Sequence, residues 1–309
     1  MHLIPAYHVR VPGHNLARYF LINYNVKLSC PSIDLPMKPF LYAALAGYLV
    51  AAIHTILAFI NKRRVFERVS VLALAFGFIA HTAAIATDWI TDGHYPLFHL
   101  HETISFMAWT LVIAYGLAVY RYRAQQALGV FTLPLVTGLV LLSHVMRGTA
   151  AGALPERVLS GDAAWLFPVH TTLLFFAYAS FFVAFAASVM YLWQERELKL
   201  KTFSAIFHRL PSLTTVDDIG TTAAGAGFTL LSLGIVTGMA WSSSRTGRAW
   251  HNDPIEIFAL LTWVLYLALI HYRAQWRGRK AAWLGIAGFG LVLCTFLGAI
   301  LMGGYHVFG

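Results

Sequence analysis

Eight apolar runs, each close to the length of a bilayer span, leave this 309-residue chain few folds to choose from. They run approximately from Phe40 to Ile60, Val69 to Thr87, Glu102 to Tyr120, Ala127 to Val145, Phe167 to Trp193, Ile219 to Ala240, Ile255 to His271 and Ala281 to Gly303. About 20 apolar residues carry a helix across the hydrocarbon core, and a backbone inside lipid must satisfy its own hydrogen bonds. The expected fold class is therefore all-α: a polytopic transmembrane helix bundle of about eight spans. Composition agrees, because 11% of the residues are charged where a soluble domain carries about 25%.

The charges also orient the bundle, since cytoplasmic connections retain Lys and Arg. Alternate connections carry Lys62, Arg63, Arg64 and Arg68; Arg121 and Arg123; Arg196, Lys199, Lys201 and Arg209; Arg273, Arg277, Arg279 and Lys280. The others carry only Arg147, Arg157, Arg245 and Arg248, which is 14 against 4. The first set is expected in the cytoplasm, with both chain termini outside. The net charge of +9 then reads as topology and contact with anionic lipid, and no nucleic acid is expected as a partner.

Residues 1–36 depart from this pattern. They hold His2, His8, His14, Cys30 and several prolines, without an apolar stretch long enough for a signal peptide. Met37, followed by Lys38 and the first run, makes a natural start. The expected organisation is a tail over 1–36, disordered or not translated, and a transmembrane domain over 37–309. Cys30 and Cys294 are the only cysteines, so a C-x-x-C redox pair and a C-x-x-C-H haem attachment motif are both absent. No internal repeat is evident. The connection from Gln194 to Asp218 reads as a solvated loop or as a short interfacial helix carrying Phe203, Ile206 and Phe207.

The chemistry gathers around Trp250-His251-Asn252-Asp253-Pro254-Ile255-Glu256. Asp253 reads as an N-cap, Pro254 as the first helical residue and Glu256 as the acid three positions after the cap. Such a cap fixes how Trp250 leaves the helix. A flat indole there can stack on a porphyrin, and Arg245 or Arg248 can pair with its propionates; interfacial aromatic belts are common, however, and residue types alone favour that role for Trp250.

His170 and His306 lie at the same face, at the start of the fifth run and after the eighth. Two neutral imidazoles from different helices can hold a haem iron, although each alone also suits a hydrogen-bonded interfacial role. With no covalent attachment motif, the expected cofactor is non-covalent haem b, with His170 and His306 as its iron ligands. Histidines inside spans raise the expectation of function, which singles out His54 and His81. His54 and His271 form a candidate inner pair, while His271 also suits contact with lipid phosphate. His99-Leu100-His101-Glu102 could hold a metal, but Glu102 also fits a first-turn acid at a helix start.

In order along the chain come Gly77-Phe78-Ile79-Ala80-His81-Thr82, Pro96-Leu97 through Glu102 with Trp109, His170 through Tyr178, and Gln194-Glu195-Arg196-Glu197-Leu198-Lys199. Arg209-Leu210-Pro211-Ser212-Leu213, Gly247, Trp250 to Glu256, Leu261-Thr262-Trp263 and His271-Tyr272-Arg273 follow. In these pieces the chain resembles the cytochrome c assembly membrane proteins of the CcsA/ResC type, with their HemX-like relatives. The resemblance extends over nearly everything from Met37 onward.

It implies a haem-handling protein of cytochrome c biogenesis in the bacterial inner (plasma) membrane. Haem is taken to the outer face and presented on a tryptophan-rich shelf for attachment to apocytochrome c. The protein would be a subunit of a cytochrome c haem lyase, beside a ResB-type membrane partner. The alternative is a HemX-like haem-binding or regulatory protein without ligase activity. On this resemblance His170 and His306 are the outer axial ligands, Trp250, Asp253 and Glu256 belong to the shelf, and His271 matches a membrane histidine of the family. The shelf pattern, approximately W-G-x-x-W-x-W-D-P-K-E, is altered here: Thr246 and Asn252 replace two tryptophans and Ile255 replaces the lysine. Where relatives read N-L-Y-E-S, this chain has His99-Leu100-His101-Glu102-Thr103.

Overall fold

Alternating tethers between helix ends define the architecture. The structure, a computed structural model, describes residues 39–61, 63–92, 95–97, 99–123, 125–147, 163–201, 207–272 and 275–302. The tail expected over 1–36 and the candidate ligand His306 lie outside the described residues. Among the described residues eight long helices follow one another: α1 (Pro39–Asn61), α2 (Arg64–Asp92), α3 (Leu100–Tyr122), α4 (Gln125–Met146), α5 (Leu166–Leu200), α6 (Leu213–Thr246), α7 (Pro254–His271) and α8 (Arg279–Met302). A 3₁₀ turn, Phe207–Arg209, precedes α6. Among the described residues, α1 to α7 are long and apolar enough to cross a membrane, and α8 occupies the eighth apolar run. The protein is a polytopic helical bundle.

The helices form two quartets. α1 packs on α2 and α4, and α3 on α4 and α2; α5 packs on α6 and α8, and α7 on α8 and α6. The seam between quartets is chiefly α3 against α5, where Phe106 meets Phe175 edge-on with centroids 5.7 Å apart. Close approach within a quartet depends on small residues, as is usual where lipid supplies no hydrophobic drive between helices. Gly47 of α1 lies against Gly77 of α2, where a Cβ would come within 2.7 Å of the opposing Cα. In the second quartet Phe181 and Tyr266 stack with centroids 3.8 Å apart, and Gly227 and Gly288 leave room for the two rings.

One end of the bundle is tied by polar contacts between sequence-distant residues. Tyr42 Oη meets His144 Nε2 at 3.0 Å, Arg147 pairs with Asp88 at 2.9 Å and Ser143 donates to the His101 carbonyl at 2.8 Å. Tyr95 bonds Thr172 at 2.6 Å; burial pushes its phenol above the ordinary tyrosine range, with the Thr172 hydroxyl partly opposing. At the other end Tyr122 bonds Thr222 at 2.6 Å and Arg209 donates to the Phe59 carbonyl. The described Lys and Arg residues of the cationic connections, such as Arg63, Arg123, Lys201 and Arg277, lie past the ends of α1, α3, α5 and α7 at this second end.

The connection expected between Gln194 and Asp218 is shorter than the sequence suggested. α5 continues to Leu200 and α6 begins at Leu213, so most of that stretch is helix rather than loop. The cause is local. Residues 194–199 are strong helix formers, Glu195 and Lys199 pair at 2.7 Å four residues apart, and Ser212 caps α6 by accepting from Thr215 N at 3.2 Å.

Candidate functional site

The first half of α5 and the second half of α6 pack together toward the first end of the bundle, and His170 is one of the contacts. Its Nδ1 lies 2.7 Å from the Gly234 carbonyl. A carbonyl can only accept, so Nδ1 carries the proton, and in the neutral form of this ring the lone pair would be on Nε2. That is the arrangement of a metal-ligating histidine, whose second nitrogen donates to a backbone carbonyl. The ring lies so close to α6 that a Cβ on Gly238 would stand 2.6 Å from Nδ1. Gly234 and Gly238, one turn apart, are thus the cradle of this imidazole. On the same face of α6, one turn on, Trp241 packs against Phe167 with centroids 5.3 Å apart. Its indole N–H is buried with no hydrogen-bond partner among the described residues.

α6 ends at Gly247, whose φ of 73° closes the helix in the left-handed region. The chain then turns through the shelf segment into α7. Here the expected cap is formed: Asp253 Oδ1 accepts from Ile255 N at 3.0 Å, Pro254 opens the helix and Glu256 Oε2 accepts from Asp253 N at 3.3 Å. Glu256 also accepts from His251 N at 2.8 Å. Trp250 donates its indole N–H to Asn252 Oδ1 at 2.8 Å, with Asn252 itself at a φ of 56°, a region asparagine tolerates better than most residues. Arg248 is exposed, its backbone held by Thr246 at 3.2 Å and Ser242 at 3.0 Å. Trp250, Asp253, Glu256 and Arg248 are therefore brought together, at the end of the helix that cradles His170.

The remaining candidates lie elsewhere. His81 is fully buried and ties three helices of the first quartet, with Nδ1 3.2 Å from Tyr48 Oη and Nε2 2.9 Å from Ser105 Oγ. His54 bonds its own helix at Val50 O, 2.8 Å away, and faces Phe66 of α2. His271 is exposed at the last turn of α7 beside Tyr272; the preceding Leu269 and Ile270 line a cavity of about 180 Å³ with Asp217 and Thr221. The structure does not bring His54 and His271 together, because α1 packs on α2 and α4 whereas α7 packs on α6 and α8. At His99 the capping reading holds, with Glu102 Oε2 accepting from His99 N at 3.1 Å. No group of three or more metal-binding side chains is found among the described residues.

Sequence reasoning passed over Gly234, Gly238 and Trp241, although the four-residue glycine spacing is a known mark of close helix approach. It also passed over Asp88, an acid one residue beyond the second apolar run, and hence its pairing with Arg147.

Comparison with known proteins gives this site its context. The pattern of the family described as "Cytochrome C assembly protein" matches residues 97–306. A protein of Gloeobacter violaceus named "Cytochrome c biogenesis protein CcsA" is 25% identical over 320 aligned residues, covering 86% of this chain and 94% of that protein. Proteins of the same name from Thermosynechococcus vestitus and Guillardia theta are 27% and 28% identical, over 76% and 75% of this chain and 85% and 82% of their own. The family match takes in α3 to α8, the His170 cradle and the whole shelf segment, so this chain belongs to the cytochrome c assembly protein family.

Proposed function

We propose that this protein handles haem for cytochrome c maturation, holding it at the outer end of the second quartet for attachment to apocytochrome c. The observation that carries the reading is His170, whose bond to Gly234 O sets the tautomer that presents Nε2 as a ligand. Haem is the substrate here, held without a covalent bond as haem b, with His306 as the second axial ligand. Trp250 supplies a stacking face, Arg248 and the buried Trp241 N–H supply donors to the propionates, and Asp253 and Glu256 keep the shelf in place. His271 and His54 are proposed to serve the passage of haem rather than its presentation, while His81 ties the first quartet. A ResB-type partner and anionic lipid at the Arg- and Lys-rich end complete the assembly, in the inner membrane. The relatives named for cytochrome c biogenesis favour this reading over a HemX-like regulatory role.

The test is co-expression with a ResB-type partner and an apocytochrome in a strain lacking its own maturation system, with covalent haem scored by peroxidase staining. Maturation is expected, and replacing His170 or His306 by Ala is expected to abolish it and to lower the haem content of the purified protein. Added imidazole should restore part of that haem. Haem binding without maturation would transfer the protein to the regulatory class. An unchanged haem spectrum in the double variant would remove His170 and His306 as ligands.

A further inference from the structure

His251 belongs to no part of the family's shelf pattern, yet its side chain reaches residues of both flanking helices. Its Nε2 lies 3.1 Å from Thr246 Oγ1, its Nδ1 lies 3.3 Å from Ser242 Oγ and 3.5 Å from Glu256 Oε1, and its backbone N–H donates to Glu256 Oε2. Ser242 and Thr246 stand on the last turns of α6, and Glu256 on the first turn of α7. The imidazole therefore bridges the two helices that the shelf connects.

The protons can be followed through this network. The Ser242 hydroxyl donates to the Arg248 carbonyl at 3.0 Å, and the Thr246 hydroxyl donates to the Ser242 and Arg248 carbonyls at 2.9 and 3.1 Å. Carbonyls only accept, so both hydroxyl protons are directed away from the ring. The two hydroxyl oxygens then stand as acceptors beside the ring, Thr246 Oγ1 at Nε2 and Ser242 Oγ at Nδ1, and the single N–H of a neutral imidazole donates to one of them according to its tautomer. The same two hydroxyls hold the backbone of Arg248, so the ring and the loop share their anchors. Thr246, which stands where the family has tryptophan, is one of these anchors. Asn252, at the other missing tryptophan, holds Trp250 by its indole N–H. Thr246 and Asn252 thus each supply a hydrogen-bonding group to a side chain of the segment.

We infer that His251 is a positioning residue of the shelf, tying α6 to α7 through Thr246, Ser242 and Glu256 so that Arg248 and Trp250 are held ready for haem. The consequence for haem rests on the function proposed above; the tie itself does not. Two readouts on the full-length protein in lipid nanodiscs separate them: amide hydrogen exchange over residues 247–256 without haem, and the retention of added haem b followed by its absorption spectrum.

His251→Ala is expected to speed exchange across 247–256 and to weaken haem retention, each by about tenfold, the effect of one lost hydrogen bond to a partly charged network. His251→Gln, which can still donate to Thr246, should recover part of both. Thr246→Val should resemble His251→Ala, and the double variant should be clearly less affected than the two single effects combined, because they break the same tie. Native exchange in His251→Ala, or fully additive effects, would overturn the inference. Wild-type protein that retains no haem, but whose loop exchange still depends on His251, would uphold the tie and defeat the haem reading instead.

Discussion

A histidine becomes a candidate ligand when its other nitrogen is committed, and at His170 the commitment is made by a glycine pair. Gly234 supplies the carbonyl and Gly238 supplies the space. Neither role has a side chain, which is why the histidine stood out in the sequence while its cradle did not. Gly238→Ala is accordingly a sharper probe of geometry than replacement of the histidine itself. The added methyl meets the ring rather than open space, and overpacking of this kind costs about 1–3 kcal/mol. The expected outcome is a lower thermal midpoint together with reduced haem content, while Gly225→Ala, where a Cβ meets nothing within 4 Å, should leave both unchanged. Equal behaviour of the two variants would show that the ring has room to move away and that Gly238 does not position it.

At the scale of single helices, what the sequence made legible was what local chemistry controls. The Asp253-Pro254-Ile255-Glu256 start of α7 could be read because capping needs only residues adjacent in the chain, and all its bonds are present. The same holds for Glu102 at the start of α3. The lengths of α5 and α6 were less legible, since hydropathy marks where a helix lies in lipid and not where it ends in water. The charged turn through Lys199 continues α5 without an apolar signal. Tertiary ties such as Asp88 with Arg147 were also hidden, because they join α2 to the residue that follows α4, and no sequence period relates the two. The cap yields its own prediction. Asp253→Ala should cost about 1 kcal/mol of helix stability and lower both protein yield and haem content, whereas Trp250→Ala should lower haem content at normal yield. Purified yield and the ratio of haem to protein separate the two; loss of yield in the Trp250 variant would make the indole a packing residue and not a stacking face.

For the whole molecule, the two quartets divide the work unevenly. The His170 cradle and the shelf segment both belong to α5, α6 and α7, while the first quartet contributes a well-tied scaffold with His81 as an internal knot. Alternating end-to-end tethers place the helix starts of α1, α3, α5 and α7 at one end and the Lys- and Arg-rich connections at the other. That segregation gives the proposed topology its physical basis, since the positively charged connections resist translocation. If the cationic end faces the cytoplasm, the shelf faces outward, where apocytochrome thiols receive haem. Reporter fusions truncated after Arg123 and after Gly161 should then report cytoplasm and periplasm respectively, one lying in a cationic connection and the other in the opposite set. Alkaline phosphatase activity is expected only for the second and a cytoplasmic reporter signal only for the first. The reverse at both points would turn the bundle over and put the His170 cradle on the cytoplasmic side, where the same residues would receive haem rather than present it. Agreement at both points, with maturation dependent on His170, would join the orientation of the bundle to the direction in which it delivers haem.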